Sequence, residues 1–337
     1  MRALPASYYV EPRWAEAERA CVFARGWHFI AHLSQLAGPG DHVVAEAAGV
    51  PLLAVRGHDD AIRVLHNVCR HRAGPLATQD GRAARLLRCR YHGWSYGLDG
   101  RLVAATDLPP DCDIDPSRIC LPEARNHVWH GLLFAATGAV PDAAAWLADV
   151  ARHVAEADKV VGRRRDVYEL DCNWKVYVDN YLEGYHLPHV HPALNRLLDY
   201  RRYATALGRW HSVQSSPLDA VAGPYRAGEA RYVFLYPCTM LNLLPDRLQT
   251  NRIVPLAPQR CRVIFDYYAA AEVADDAVAA DRRFSDGVQR EDQEICEAVQ
   301  RGLASGSYHD GPLNPQREAA LAHFHALLRD DYAKATG

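Results

Sequence analysis

Residues 69–71 read Cys-Arg-His and residues 89–92 read Cys-Arg-Tyr-His, and each motif is followed by residues typical of a turn. Thiolate sulfur and imidazole nitrogen are both metal ligands. The sequence therefore predicts two loops that bind a metal centre from opposite sides, with Cys69, His71, Cys89 and His92 as the ligands.

The pairing within each motif favours one kind of centre. Structural zinc sites accept two Cys and two His, but they more often take two Cys from one motif and two His from the other. In a Rieske [2Fe-2S] cluster two Cys bind one iron and two His bind the second iron. Each loop must then supply one ligand to each iron, as both motifs do here. Structural zinc, or ordinary buried Cys and exposed His, remain the alternatives.

A second group of candidate ligands lies in residues 173–192, NWKVYVDNYLEGYHLPHVHP. Glu183 and His186 are three residues apart and share a face on a predicted helix. Pro188 is expected to end that helix at residue 187, so that His191 folds back beside His186. Two His and one carboxylate bind non-haem Fe(II) and leave positions open for O₂ and substrate. The alternative is that these histidines only cap a helix and line a loop.

The carboxylate is expected from a later helix. Phe284, Val288, Ile295 and Val299 follow helical spacing, and Asp292 falls inside that apolar stripe. An ionised acid in an apolar stripe is costly unless it is paired or bound to metal. We therefore favour Asp292, with neighbouring Glu291 as the rival ligand and a locally solvated helix face as the alternative.

Both groups resemble the Rieske non-haem iron oxygenases, including the run Tyr-His-Gly-Trp-Ser-Tyr at residues 91–96 and the run from Asn-Trp-Lys to His-Pro. The resemblance covers most of the chain. It implies that His186, His191 and Asp292 bind the mononuclear Fe(II). It also implies that Glu183 is the bridging acid between an iron histidine and a Rieske histidine of a neighbouring subunit. His189 matches no ligand position.

The resemblance also implies the fold, an α+β chain with an antiparallel β Rieske domain and a helix-grip-like α+β catalytic domain. We expect a helical segment at residues 1–37 that packs on the catalytic domain, the Rieske domain at residues 38–140, and the catalytic domain at residues 141–337.

The implied activity is that of a terminal oxygenase. It would use O₂ and electrons from NAD(P)H, passed on by a separate flavin or iron-sulfur reductase, to hydroxylate or oxidatively demethylate a small organic substrate. A homotrimer is implied as well.

Naphthalene-type dioxygenases usually have Asp at the bridging position, and they have one more residue between the Asn that matches Asn180 and the first iron histidine. Glu183 at the bridging position and the shorter spacing from Asn180 to His186 are closer to the choline and carnitine monooxygenase branch. An aromatic-ring dioxygenase, or a non-catalytic electron-transfer or sensing protein, remains the alternative.

Composition agrees with a cytoplasmic enzyme. The chain has 337 residues, 49% hydrophobic and 23% charged, with a formal net charge of −3. Neither a nucleic-acid partner nor a membrane segment is expected from these values and from the absence of a long apolar run. The nine cysteines are scattered and follow no secretory signal, so we expect mostly reduced thiols.

Periodicity places helices and strands around these motifs. Helices are predicted at residues 12–25, 143–157, 174–185, 275–303 and 316–332. Short strands are predicted at residues 42–46, 50–56, 62–65, 232–236, 248–254 and 262–268, and residues 195–231 are expected to be a polar connecting segment.

The substrate is the least determined feature. An aromatic cage for a cation is one interpretation of six aromatic residues, and plain core is the other: Tyr203, Trp210, Tyr225, Tyr232, Phe234 and Tyr236. Four arginines could instead bind a carboxylate or simply be solvated: Arg196, Arg201, Arg202 and Arg209.

Overall fold

A computed structural model describes residues 1–83, 85–109, 112–154, 156–218 and 225–336. The chain forms two compact units, Met1–Val22 with Pro141–Gly337, and Phe23–Val140. The expected domains divide at residues 37/38 and 140/141, whereas the compact units divide at residues 22/23 and 140/141. The roles given to the expected segments stay predictions.

The smaller unit is built from short antiparallel strands, as predicted from the Gly and Asp residues that separate its short β-rich runs. Three sheets are present in its described residues, with the strand orders β1-β10-β9, β4-β3-β2-β5 and β6-β7-β8. The strands are β1 His28–His32, β2 Asp41–Ala47, β3 Val50–Arg56, β4 Ile62–His66, β5 Gly81–Arg82, β6 Leu86–Arg88, β7 Ser95–Gly97, β8 Leu102–Ala104, β9 Arg125–Trp129 and β10 Leu132–Ala136. Cys69 and Cys89 are buried in the same apolar cluster as Trp94 and Tyr96, which places both motifs of this unit on one core.

The larger unit contains a seven-stranded antiparallel sheet of order β11-β17-β16-β15-β14-β13-β12. Its strands are β11 Val160–Leu170, β12 Ala204–Leu207, β13 His211–Leu218, β14 Gly228–Leu235, β15 Thr239–Leu244, β16 Arg247–Ala257 and β17 Arg260–Ala270. The chain leaves the sheet after β11 and returns at β12, and the residues between them carry two of the predicted iron ligands.

Helices of the larger unit pack against this sheet and against one another. They are α1 Ser7–Val10, α2 Pro12–Cys21, α3 Ala143–Leu147, α4 Ala151–Val154, α5 Trp174–Tyr181, α6 Leu187–Val190, α7 Pro192–Leu197, α8 Asp275–Ala304 and α9 Ala319–Thr336. Helix α8 packs against α5, α6 and β11, and α5 contacts β16 and β17. These contacts bring residues 173–192 beside the helix that carries Asp292.

A buried ion pair joins α2 to α5. The Glu18 carboxylate accepts hydrogen bonds from the Lys175 ammonium, from Trp174 Nε1 at 2.7 Å and from the Tyr332 hydroxyl at 2.6 Å. Lys175 is fully buried, and burial lowers its pKa although Glu18 opposes that shift. The pair fastens the N-terminal helix to the larger unit because neither charge can remain buried without the other.

Several predicted elements differ in extent from the observed ones. The helix predicted at residues 12–25 ends at Cys21 and is followed by a 3₁₀ turn. The helix predicted at residues 143–157 is two short helices, α3 and α4, and residue 155 lies outside the described residues.

The prediction of a polar connection at residues 195–231 is wrong for its described part, which contains β12 and β13; residues 219–224 lie outside the description. Strand β13 was hidden by its composition, because Ser212, Gln214 and Ser216 are polar but buried.

None of the helices in the described residues combines the length and apolar character that a membrane crossing needs.

Candidate metal centres

The segment that carries the two predicted iron histidines is a series of turns between short helices. Asn173 caps α5 by accepting a hydrogen bond from the Lys175 N–H at 3.0 Å, and the helix ends at Tyr181. The prediction that Glu183 and His186 share a helix face is therefore wrong, because both lie in the turn after α5. Pro188 does not end a helix either. It lies in the first turn of α6, where its missing N–H costs no hydrogen bond.

These turns bring the three predicted ligands of the mononuclear site together. The ligand atoms of His186, His191 and Asp292 all lie within 4.8 Å of one another. Nε2 of His191 is 2.9 Å from Asp292 Oδ1, and Nε2 of His186 is 3.9 Å from the same oxygen. Two imidazole nitrogens and one carboxylate oxygen that converge on one point fit a single Fe(II) ion and leave its remaining positions open.

Each of the two histidines is held from its other side by a second carboxylate. Nδ1 of His186 is 2.5 Å from Glu183 Oε1, and Nδ1 of His191 is 2.6 Å from Glu291 Oε2. A proton on Nδ1 directed at a carboxylate leaves the Nε2 lone pair facing the metal position. Glu291, the rival ligand in the sequence, therefore lies behind His191 and outside the converging trio.

A hydrogen bond also holds the Asp292 carboxylate in place. The Asn180 side-chain amide donates to Asp292 Oδ1 at 2.6 Å, which links α8 to α5 at the site. His191 is 1% exposed; burial by itself would lower its pKa, but the hydrogen bonds that its ring donates to the Asp292 and Glu291 carboxylates outweigh burial and raise the pKa.

The two Cys-His loops of the smaller unit share one backbone conformation. The carbonyls of Cys69 and Cys89 each accept from the N–H four residues later, Ala73 and Gly93, at 3.0 Å in both loops. Both of those residues have positive φ, 58° at Ala73 and 76° at Gly93. The repeated turn directs one Cys and one His from each loop to the same place.

The side chains at that place are arranged as cysteine and histidine pairs. Both cysteines are buried, while the His71 and His92 rings lie toward the surface with centroids 4.5 Å apart. A single tetrahedral zinc would hold all four ligand atoms within about 4 Å of one another. Among the described residues, His186, His191 and Asp292 are the one group of three or more His, Cys, Asp or Glu side chains whose ligand atoms converge closely enough to hold one metal ion. The four side chains therefore fit a cluster whose ligands are divided between two irons better than one zinc ion.

Tyr96 supplies a hydrogen bond to one sulfur. Its hydroxyl accepts from the Arg70 N–H at 3.0 Å, so its own proton is directed at Cys69 Sγ, 3.2 Å away. Burial raises the pKa of Tyr96, which keeps the hydroxyl protonated. Hydrogen bonds to the ligand sulfurs are one of the means by which a protein sets the reduction potential of such a cluster.

A cavity lies directly beside the mononuclear trio. Five aromatic rings line it, from Tyr177, Tyr181, Tyr203, Tyr232 and Phe265. Five neutral amide side chains also line it, together with the acids Glu183 and Asp292, and none of the described residues that line it is Lys or Arg. The cavity can therefore take a small apolar or cationic molecule next to the metal position.

The aromatic residues suggested by sequence divide into two groups. Tyr203 and Tyr232 line the cavity, whereas Phe234 and Tyr236 pack against Phe324 in the core. Trp210 and Tyr225 are not among the lining residues.

Sequence reasoning missed Tyr177, Tyr181 and Phe265 as cavity residues. The i, i+4 spacing of Tyr177 and Tyr181, next to Asn180 and the ligand run, was a usable signal. The predicted arginines are exposed and none lines the cavity, so the carboxylate-binding role is not supported.

Comparison with known families agrees with this geometry. The family model "Ring hydroxylating alpha subunit (catalytic domain)" matches residues 157–334, and "Rieske [2Fe-2S] domain" matches residues 26–117. This chain belongs to the Rieske oxygenase alpha subunits. The protein is thus an oxidoreductase with a Rieske cluster and a mononuclear iron, and the oxygenase prediction is confirmed over the electron-carrier alternative.

Curated relatives of this Rieske oxygenase are named choline monooxygenase and carnitine monooxygenase. It is 34% identical to the chloroplastic choline monooxygenase of Arabidopsis thaliana, over 96% of this chain and 81% of the relative. It is 29% identical to the carnitine monooxygenase oxygenase subunit of Escherichia coli K12, over 96% of this chain and 92% of that one.

Solved structures of Rieske oxygenases share the fold. The quaternary ammonium Rieske monooxygenase CntA in complex with L-carnitine superposes with a TM-score of 0.88 at 25% identity, covering 98% of this chain and 96% of that one. Naphthalene 1,2-dioxygenase from Rhodococcus sp. gives a TM-score of 0.82 at 18% identity, covering 98% and 94%, which shows a common fold alone.

Proposed function

We propose that this Rieske oxygenase hydroxylates a carbon atom close to the quaternary nitrogen of a small organic cation. The observation that carries the proposal is the cavity beside the iron site, with five aromatic rings and no Lys or Arg among its described lining residues. Aromatic ring faces attract quaternary ammonium groups, and a cavity without cationic side chains does not repel them. The names of the choline and carnitine monooxygenases among its relatives support the same substrate class.

We assign the metal ligands residue by residue. His186, His191 and Asp292 would hold the mononuclear Fe(II), while Cys69 and Cys89 would hold one cluster iron. His71 and His92 would hold the other cluster iron. The convergence of the first three side chains and the matched conformation of the two Cys-His loops support this assignment.

The reaction consumes one O₂, two electrons and two protons for each C–H bond that becomes C–OH, and it releases one water. When bound, the cluster supplies electrons and the mononuclear iron supplies O₂ activation. Glu183 and Glu291 orient the two histidines through Nδ1, and Asn180 orients Asp292. The aromatic cavity excludes bulk water and keeps the cationic group beside the metal position.

The electrons would come from NAD(P)H through a separate reductase, and the enzyme would act in the cytoplasm as a head-to-tail homotrimer. In that trimer Glu183 would lie near the neighbouring subunit's cluster histidines. The Glu183 carboxylate, whose side chain is 12% exposed, already contacts His186 within its own chain. This contact is the half of the proposed bridge that one chain can form.

Substrate-dependent O₂ consumption tests the proposal. The purified protein with a surrogate reductase and NADH is offered choline, carnitine, an aromatic acid and a sterol-like compound. We expect O₂ consumption and a hydroxylated or demethylated product with at least one quaternary ammonium compound. Turnover of the aromatic acid or the sterol-like compound alone would contradict the proposed substrate class.

A further inference from the structure

Gln289 is a buried polar residue that lines the iron-site cavity without binding metal. It lies on α8, is 1% exposed, and precedes Asp292 by three residues, so the two side chains share a face of the helix. Its position therefore places an amide on the cavity wall close to the proposed iron ligand.

The orientation of this amide is fixed by one neighbour. The Tyr177 hydroxyl donates to Gln289 Oε1 at 2.6 Å. Gln289 Nε2 is left buried, and it has no hydrogen-bond partner among the described residues. A buried donor without a partner destabilises the folded protein, so proteins rarely retain one without a reason.

Other buried glutamines of the same unit are satisfied. Gln214 Nε2 donates to the Tyr181 carbonyl at 2.8 Å, and Gln249 Nε2 donates to Asn251 Oδ1 at 2.9 Å. Both of these side chains belong to the same β-sheet and need no ligand to complete their hydrogen bonds. Gln289 differs from them in having a free donor at the cavity that holds the substrate.

We propose that Gln289 Nε2 donates a hydrogen bond to an uncharged oxygen of the substrate, at the end remote from the quaternary nitrogen. This inference rests on the proposed function and adds a specificity-determining residue to it. One neutral donor suits a hydroxyl oxygen. A buried carboxylate would need a cationic partner or several donors, and the described lining has no Lys or Arg while Glu183 and Asp292 already bring negative charge. The substrate class is therefore a quaternary ammonium alcohol that carries no carboxylate.

Binding measured without turnover tests this inference. Choline and ethyltrimethylammonium differ by one hydroxyl, and each is titrated calorimetrically into the iron-loaded protein in the absence of reductant. We expect the Kd of choline to be about tenfold lower than that of ethyltrimethylammonium, as one hydrogen bond to a buried donor provides. In Gln289→Met the ratio of the Kd of ethyltrimethylammonium to the Kd of choline should fall from about ten to about one, because choline alone loses affinity.

Gln293→Met is the matched control, since Gln293 lies on the same helix and donates to Glu297 outside the cavity. It should keep the wild-type ratio. Iron content and the Rieske absorption of each variant report on folding. If Gln289→Met does not fold, the wild-type ratio and a carnitine titration still decide the matter.

A wild-type ratio near one, an unchanged ratio in a folded Gln289→Met, or carnitine bound more tightly than choline would overturn this inference and leave the proposed function standing. Failure of all three quaternary ammonium compounds to bind would overturn the proposed function, and this inference with it.

Discussion

At the residue scale, the iron site depends on pairs of acids and histidines that are far apart in sequence. The apolar stripe of α8 identified Asp292 as the member of the Glu291–Asp292 pair that faces the other ligands. The role of Glu291 could not be predicted in the same way, because a residue that supports a ligand through Nδ1 has no spacing rule of its own. Its contact with His191 depends on how α6 and α8 pack.

Removal of one proposed iron ligand should empty the mononuclear site and leave the Rieske cluster in place. His186→Ala should lower the iron content from about three to about two atoms per chain and abolish turnover, because the facial triad loses one of its three ligands. The Rieske absorption should remain. His189→Ala is the control, since His189 is exposed and outside the trio. Loss of the Rieske absorption in His186→Ala would refute the assignment of separate sites.

A buried histidine makes stability depend on pH. Burial lowers the pKa of His211 to about 4, although its Nε2 contacts the Trp146 carbonyl at 2.7 Å. The unfolded chain, with a histidine pKa of about 6.5, takes up a proton below that pH that the folded protein does not. This contribution to stability is therefore present above pH 6.5 and is lost as the pH falls toward 4, by about 2 kcal/mol at pH 5.

The urea midpoints of wild type and His211→Gln at pH 7.5 and pH 5 measure this effect. The wild type should lose more stability than His211→Gln between the two pH values, whereas a change of the exposed His58 to Gln should leave the wild-type loss intact. Equal losses in all three proteins would show that His211 is not the group responsible.

At the element scale, strong helical periodicity predicted the presence of helices well. Capping residues such as proline did not always predict where a helix begins or ends. Helix α8 was predicted at residues 275–303 and runs over Asp275–Ala304. The predicted end of α5 was wrong. Pro188 was assigned to the end of that helix, but it lies in the first turn of α6. Both positions satisfy proline equally, so the sequence alone does not separate them.

The turn after Cys69 has no room for a side chain at Gly74. A Cβ at Gly74 would lie 2.9 Å from Cys89 Sγ and 3.2 Å from Tyr91 Cβ. Gly74→Ala should therefore displace Cys89 and lower the Rieske absorption per chain. The control is Gly287→Ala in α8, where a Cβ meets nothing within 4 Å. It should keep the absorption and raise the stability of the helix by about 0.5–1 kcal/mol. Full cluster absorption in Gly74→Ala would contradict this account.

At the scale of the whole molecule, the antiparallel β unit and the α+β unit were both predicted, since each carries its own pattern and its own metal motif. Which elements meet across long sequence distances was not predictable. The packing of α2 on α9 and the three partners of Glu18 depend on the complete larger unit.

Loss of Glu18 should destabilise the larger unit strongly. Glu18→Ala leaves the Lys175 charge and two buried donors without their partner, and removal of one member of a buried pair costs about 3–5 kcal/mol. Glu16→Ala on the same helix is exposed and should change stability by no more than about 0.5 kcal/mol. Thermal unfolding of the two variants makes the comparison, and similar melting temperatures would show that the ion pair does not fasten α2.

The chain order of the ligands has a consequence for biogenesis. The last ligand assigned to the Rieske centre is residue 92, whereas the carboxylate assigned to the mononuclear iron is residue 292 on a helix that ends at Ala304. A ribosome therefore delivers every cluster ligand well before it delivers the third iron ligand. A complete iron triad therefore exists only once synthesis has passed α8.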